Sequence, residues 1–140
     1  MELIDADAVP FVGFSAAPAA SDIDCDLDTD LLVGRFDGTL SLFVKAQAGM
    51  ASDWSLASST YAGIKVGSGS APVWADIDAD GDEDLFVGEG AGTVNFFRNT
   101  GSRCEPDLVL ESEQFGGIDV GRRSRPAFMD YDLDGDLDLF

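Results

Sequence analysis

The strongest constraint on what this chain can fold into is a period. Ala17-Pro18-Ala19-Ala20-Ser21-Asp22-Ile23-Asp24 returns as Ala71-Pro72-Val73-Trp74-Ala75-Asp76-Ile77-Asp78, and again as Arg125-Pro126-Ala127-Phe128-Met129-Asp130-Tyr131-Asp132, each copy 54 residues after the last. At that offset and without gaps, residues 17–70 match 71–124 at 22 of 54 positions, and 71–86 match 125–140 at 9 of 16. The identities reach well past the acidic stretch: Gly38-Thr39 falls on Gly92-Thr93, Phe43 on Phe97, Gly63-Ile64 on Gly117-Ile118 and Val66-Gly67 on Val120-Gly121, with Val12-Gly13 one period earlier. The chain therefore divides into the end of a preceding repeat (1–16), two whole repeats (17–70 and 71–124) and the truncated start of a third (125–140). A period of this size means a supersecondary unit that buries its apolar surface against its neighbours.

Each unit reads as short strands between turns. Val73 to Ile77, Leu85 to Val87, Thr93 to Phe97 and Leu108 to Leu110 are apolar or β-prone and are separated by Gly, Pro and Asp. No stretch carries a 3.6-residue apolar period over three turns, so helices are expected to be nearly absent. Four antiparallel strands per unit of about 40 to 50 residues make a β-propeller blade, and 54 residues fit with one long loop. Asp119 to Ser124 is the expected crossing to the next blade. Solenoid repeats run shorter, so the expected fold is all-β, with propeller blades of four antiparallel strands.

Charge narrows the function. Against 27 Asp plus Glu there are only 8 Lys plus Arg, a net charge of −19, yet 45% of the residues are apolar, which is globular rather than disordered content. So negative a surface repels phosphate backbones and anionic headgroups, so no nucleic acid partner is expected. No apolar run nears the roughly 20 residues that span a bilayer, so no membrane insertion is expected either. Glu2, Asp5 and Asp7 give the first residues the wrong charge for a secretory leader. The absence of histidine removes histidine-dependent triads and paired-histidine zinc motifs. Cys25 and Cys104 form no close metal-binding or redox pair, and their state as free thiols or a disulfide stays open.

The acidity is concentrated in three loops. Asp76, Asp78, Asp80, Asp82 and Asp84 occupy positions 1, 3, 5, 7 and 9 of the second loop, with Gly81 at position 6; Asp130, Asp132, Asp134, Asp136 and Asp138 repeat the pattern around Gly135. Such alternation wraps carboxylates around one hard cation, and the glycine turns the chain through positive φ. Asp22, Asp24, Asp26, Asp28 and Asp30 keep every carboxylate but put Leu27 where glycine belongs, so that loop is expected to be weaker, differently shaped or empty. Two carboxylates 4 Å apart repel by about 4 kcal/mol at an effective dielectric of 20, which a cation relieves. All-oxygen ligands in a flexible cradle favour calcium, one ion per loop, over zinc, copper or magnesium. An EF-hand is disfavoured, because its twelfth position needs a bidentate Glu and here holds Val87 in a strand.

These stretches, Asp76 to Gly88, Asp130 to Phe140 and less fully Asp22 to Gly34, resemble the FG-GAP and VCBS repeat families, whose blades carry an Asp-rich calcium loop running into an apolar strand that ends in Val-Gly. The resemblance spans nearly the whole chain. It implies a β-propeller with calcium in the loops, as in the propellers of integrin α subunits and of many bacterial secreted or surface proteins, and an extracellular or cell-surface location. The Gly-Ala-Pro that often follows the strand is reduced to Gly34 and Gly88, which leans toward the VCBS-like variety. Closed propellers use 4 to 8 blades. The chain is accordingly expected to be a fragment of a larger propeller that, alone, self-associates through exposed blade faces.

The remaining residues are weighed on their neighbours. Trp74 and Phe128, at equivalent sites, are expected to pack between blades, and Phe96-Phe97 and Leu42-Phe43 to pack in the core or between blades. Arg122, Arg123 and Arg125 are expected to pair with acidic loops. Glu111 and Glu113 are read as solvent-facing. Two carboxylates suffice for glycoside hydrolysis, but the clustered aspartates recur with the period, whereas catalytic residues are normally unique. The expected function is a non-catalytic, calcium-binding propeller module for adhesion, protein interaction or carbohydrate recognition, with a protein or carbohydrate ligand for the full propeller. The alternative is the propeller part of an extracellular polysaccharide-degrading enzyme whose active site lies elsewhere.

Overall fold

The computed structural model describes residues 15–45 and 54–140; the segment 1–16, with its Val12-Gly13 match, falls almost wholly outside them. Two four-stranded antiparallel sheets follow one another along the chain. The first contains β1 (Ala17–Ser21), β2 (Asp30–Gly34), β3 (Leu40–Lys45) and β4 (Trp54–Ser58); the second contains β5 (Ala71–Ala75), β6 (Asp84–Gly88), β7 (Val94–Asn99) and β8 (Leu108–Ser112). Each is a simple meander in chain order, and the short pair β9 (Phe128–Met129) and β10 (Asp138–Leu139) starts the pattern again. The fold is all-β, and its sheets are consistent with propeller blades; the ring is not closed among the described residues. Helix is limited there to single 3₁₀ turns at Tyr61–Gly63 and Phe115–Gly117.

Period and register agree in detail. Pro18 faces Val33 and Pro72 faces Val87, and the register shifts between Leu42 and Phe43 just as between Phe96 and Phe97. The first strand of the second blade begins at Ala71 and stops at Ala75, two residues ahead of the expected Val73 to Ile77. Pro72 is admitted because β5 is an edge strand of its sheet, where a missing N–H costs no ladder bond. The strand stops because the Asp76 carboxylate takes over the backbone N–H groups of Asp80 and Gly81.

Alternation along the inner strands builds the core on both sides of a blade. Leu85 and Val87 of β6, with Phe97 of β7, pack against Ile23, Leu32, Leu40, Leu42, Ile64 and Val66 of the first repeat. Phe86 and Phe96 point the other way, stacked at 4.6 Å between ring centroids, and meet Phe115 and Phe128. Trp74 packs against the first of these clusters, edge-on to Tyr61 at 6.4 Å, so both equivalent aromatics serve blade packing.

A second device joins the repeats. The strand-ending glycines Gly34 and Gly88 lie so close to the next blade's lead-in that a Cβ would fall 2.0 Å from the Ser70 carbonyl oxygen and 2.2 Å from that of Ser124. Those serines are buried, and their hydroxyls accept from the Arg35 and Glu89 N–H groups, at 2.9 and 2.8 Å, while donating to the carbonyls of Thr39 and Thr93. The Val-Gly strand ending is thus explained by close approach of two backbones.

Candidate metal centres

All three acidic loops join the first strand of a unit to its second, between β1 and β2, β5 and β6, and β9 and β10, so the repeats present them at equivalent places. The alternating aspartates make this possible through local bonds that compete with a regular ladder. Asp24, Asp26, Asp80, Asp132 and Asp134 each accept the N–H two residues on, which curls the chain.

Each loop gathers three carboxylates. One oxygen from each of Asp22, Asp24 and Asp30 lies within 4.8 Å of the others, and the same holds for Asp76, Asp78 and Asp80 and for Asp130, Asp132 and Asp138. Positions 1 and 3 contribute every time; the third member is position 5 in the second loop and position 9 in the others. The remaining candidates stand outside these triplets: Asp26, Asp28, Asp82, Asp84, Asp134 and Asp136. Of the position 9 residues, Asp30 is fully buried and accepts the N–H groups of Ile23 and Lys45, while Asp138 accepts from Tyr131 at 2.9 Å. Asp84 is 3% exposed; Oδ1 accepts from Asn99 N–H at 2.8 Å, and Oδ2 is buried with no partner.

That orphaned oxygen tests whether a cation fits. A buried carboxylate oxygen without a donor is costly, and the electrostatics point the same way. Burial pushes the carboxyls of Asp30 and Asp84 up from the ordinary value, against the pull of the amides they accept from; Asp24 and Asp26 add to the rise at Asp30, and Asp78 and Asp80 at Asp84. Asp22 Oδ1, Asp28 Oδ2 and Asp130 Oδ1 are likewise buried and unpartnered. A hard cation satisfies such oxygens and offsets their mutual repulsion, and the donors are all oxygen, as calcium or magnesium requires.

The turn itself separates the loops. Gly81 and Gly135 adopt φ of 96° and 97° at position 6, and their N–H groups donate to Asp76 Oδ2 and Asp130 Oδ2 at 3.0 and 3.1 Å. Leu27 follows the same path at φ 74°, a left-handed conformation that costs a residue with a Cβ roughly 1–2 kcal/mol. Position 4 is also left-handed throughout, in Cys25, Ala79 and Leu133.

One alternative that the sequence left open is decided, and two features escaped it. Cys25, in the first loop, is disulfide-bonded to Cys104 in the loop between β7 and β8, across the blade boundary and 79 residues away. Arg98 ion-pairs with Asp78 at 2.5 Å and Glu111 at 2.8 Å, with its guanidinium 5.4 Å from the Phe96 ring centroid. Ser21 Oγ donates to Glu83, tying the end of β1 to the second loop. The expectation for Arg122, Arg123 and Arg125 is corrected: among the described residues none forms an ion pair, and all three are exposed. They lie on the crossing from β8 to β9, whereas Arg98 stands on β7 beside the second loop. The disulfide had no signal in the period, since neither cysteine has a counterpart 54 residues away.

Residues 22–87 and 76–140 each match the model of the FG-GAP-like repeat, together reaching from the first acidic loop to the last residue. No curated protein matches the chain.

Proposed function

Since the chain belongs to the FG-GAP-like repeat family, we propose that it is a calcium-binding, non-catalytic propeller module of an extracellular or cell-surface protein, serving adhesion, protein interaction or carbohydrate recognition. The observation that carries the cation reading is the gathering of three carboxylates in each loop, with Asp22 Oδ1 and Asp130 Oδ1, on members of the first and third triplets, buried without a donor. Calcium suits these loops better than magnesium, because curled backbones with carboxylates at uneven positions form a flexible cradle and not a strict octahedron. Its role is structural: binding only the folded loop adds about 2.7 kcal/mol per site at a hundredfold excess over Kd. Three ions would take the net charge from −19 to about −13.

The disulfide supports the location, because such bonds persist in oxidising compartments. Recurrence of the clustered aspartates supports a binding module over a glycoside-hydrolysing enzyme, since that reaction needs one distinguished acid pair. The described faces also support association. Val94, Ile118 and Val120, one period after the buried Leu40, Ile64 and Val66, line a groove of about 240 Å³ with Leu139 and Phe140.

Thermal unfolding in millimolar calcium, in excess chelator and in magnesium, with light scattering in parallel, tests the proposal. A large rise in melting temperature with calcium alone, in an associating chain, is the expected result. An unchanged, cooperative melt in calcium overturns the cation reading, and a monodisperse monomer overturns the association.

A further inference from the structure

The first acidic loop reaches the same backbone path as the other two without their means of holding it. It has no glycine at position 6, and no hydrogen bond from the Leu27 N–H closes onto Asp22 as those of Gly81 and Gly135 close onto Asp76 and Asp130. Burial of the side chain does not compensate, for Leu27 is 92% exposed. Two side-chain-bearing residues, Cys25 and Leu27, therefore sit in the left-handed region within three positions, where the other loops place one residue and a glycine.

What the first loop has instead is the bond to Cys104, with the two Cα atoms 5.2 Å apart. The partner loop is firmly built. Asn99, buried at the end of β7, accepts the N–H groups of Gly101 and Asp107 at 3.0 Å and donates to the Ser102 carbonyl, while Thr100 N–H donates to Asp107 and Ser102 N–H to Glu105. Asn99 N–H is in turn held by Asp84 of the second acidic loop. Cys104 is thus presented from a fixed frame, and Cys25 is the residue at the strained turn that the frame grips.

We propose that the Cys25–Cys104 disulfide holds the first acidic loop in its cation-binding conformation, the role that glycine and its hydrogen bond to the first aspartate fill in the other loops. The cysteines are positioning residues here, acting through the backbone of Asp24 and Asp26. This rests on the calcium reading.

Calcium titration by calorimetry, on the full chain carrying Asp78→Ala and Asp132→Ala so that the first loop alone keeps its full set of carboxylates and its triplet, tests it. Adding Cys25→Ala with Cys104→Ser, which gives position 4 the residue found at Ala79, is expected to weaken the remaining site by about tenfold, the size of one left-handed Leu penalty. Adding Leu27→Gly to that chain is expected to restore most of the affinity. Hydrogen exchange of the otherwise unmodified chain supplies the second measurement: loss of the disulfide should speed exchange over 22–30 more than over 76–84. Unchanged affinity, no rescue by Leu27→Gly, or equal loosening of both loops would make the disulfide a general staple and overturn the proposal. If the chain with all loops intact binds no calcium, the cation reading falls and this proposal with it.

Discussion

Gly34 meets Ser70 and Gly88 meets Ser124 by the same contacts, yet the two blade junctions that these seams border are filled differently. Between the complete blades the core is chiefly aliphatic, with Leu32, Leu40, Ile64, Leu85 and Val87, and is crossed by a covalent bond at its acidic edge. Between the second blade and β9–β10 it is aromatic, with Phe86 against Phe96, Phe115 and Phe128. The seam is backbone against backbone and tolerates one chemistry. The filling is side chain against side chain and needs only the right volume, so it is free to change between repeats.

The largest effect is expected from Phe86→Ala, which empties the centre of the aromatic junction. A loss of about 3–5 kcal/mol is expected in denaturant unfolding. Hydrogen exchange should locate the damage around β6, β7 and β9; equal loss of protection in β1 and β2 would mean that the junctions melt as one unit and would break the comparison.

Next come Gly34→Ala and Gly88→Ala, each driving a Cβ into a carbonyl oxygen and its serine. Both are expected to cost at least the ~1–3 kcal/mol usual for overpacking, and to cost the same. A marked inequality in melting temperature between the two would show that the seams are not equivalent.

The smallest effect concerns Asp30 and Asp84, at the same place in the two blades, one with both oxygens held and one with an oxygen orphaned. Burial raises both carboxyls in the folded state, so the folded chain takes up protons more readily than the unfolded one. The stability this contributes is fully present below the unfolded carboxylate value of 3.8 and is lost as pH rises through the raised folded values. In chelator, the melting temperature is therefore expected to rise as pH falls from neutral through that window. Asp84→Asn, which mimics the protonated form, should flatten this rise more than Asp30→Asn does. The reverse order would mean that the orphaned oxygen is not the costlier one.

Much of this was legible because a period reports on backbone. The four strands, the inward Phe and Leu residues, the crossing at 119–124 and the left-handed Leu27 all follow from residues that recur or conspicuously fail to. The left-handed position 4 did not show itself, because Cys25, Ala79 and Leu133 share no side-chain property that marks positive φ. Cys104 and Arg98 are unique to one repeat, and single residues acting across a blade boundary leave no trace in self-comparison. The arginine cluster misled because charge balance along a sequence says nothing about which side of a blade a loop emerges on.

The bond between Cys25 and Cys104 has a mechanical consequence. When tension is applied to the two ends of the chain, the load passes from residue 25 to residue 104 through the disulfide, and the chain between them, a separation of 79 residues, carries none of it. About 270 Å of contour length, at roughly 3.4 Å per residue, is thereby withheld from extension. That withheld length contains the whole of the second acidic loop, so a pulled chain keeps that loop and the strands around it outside the path of force.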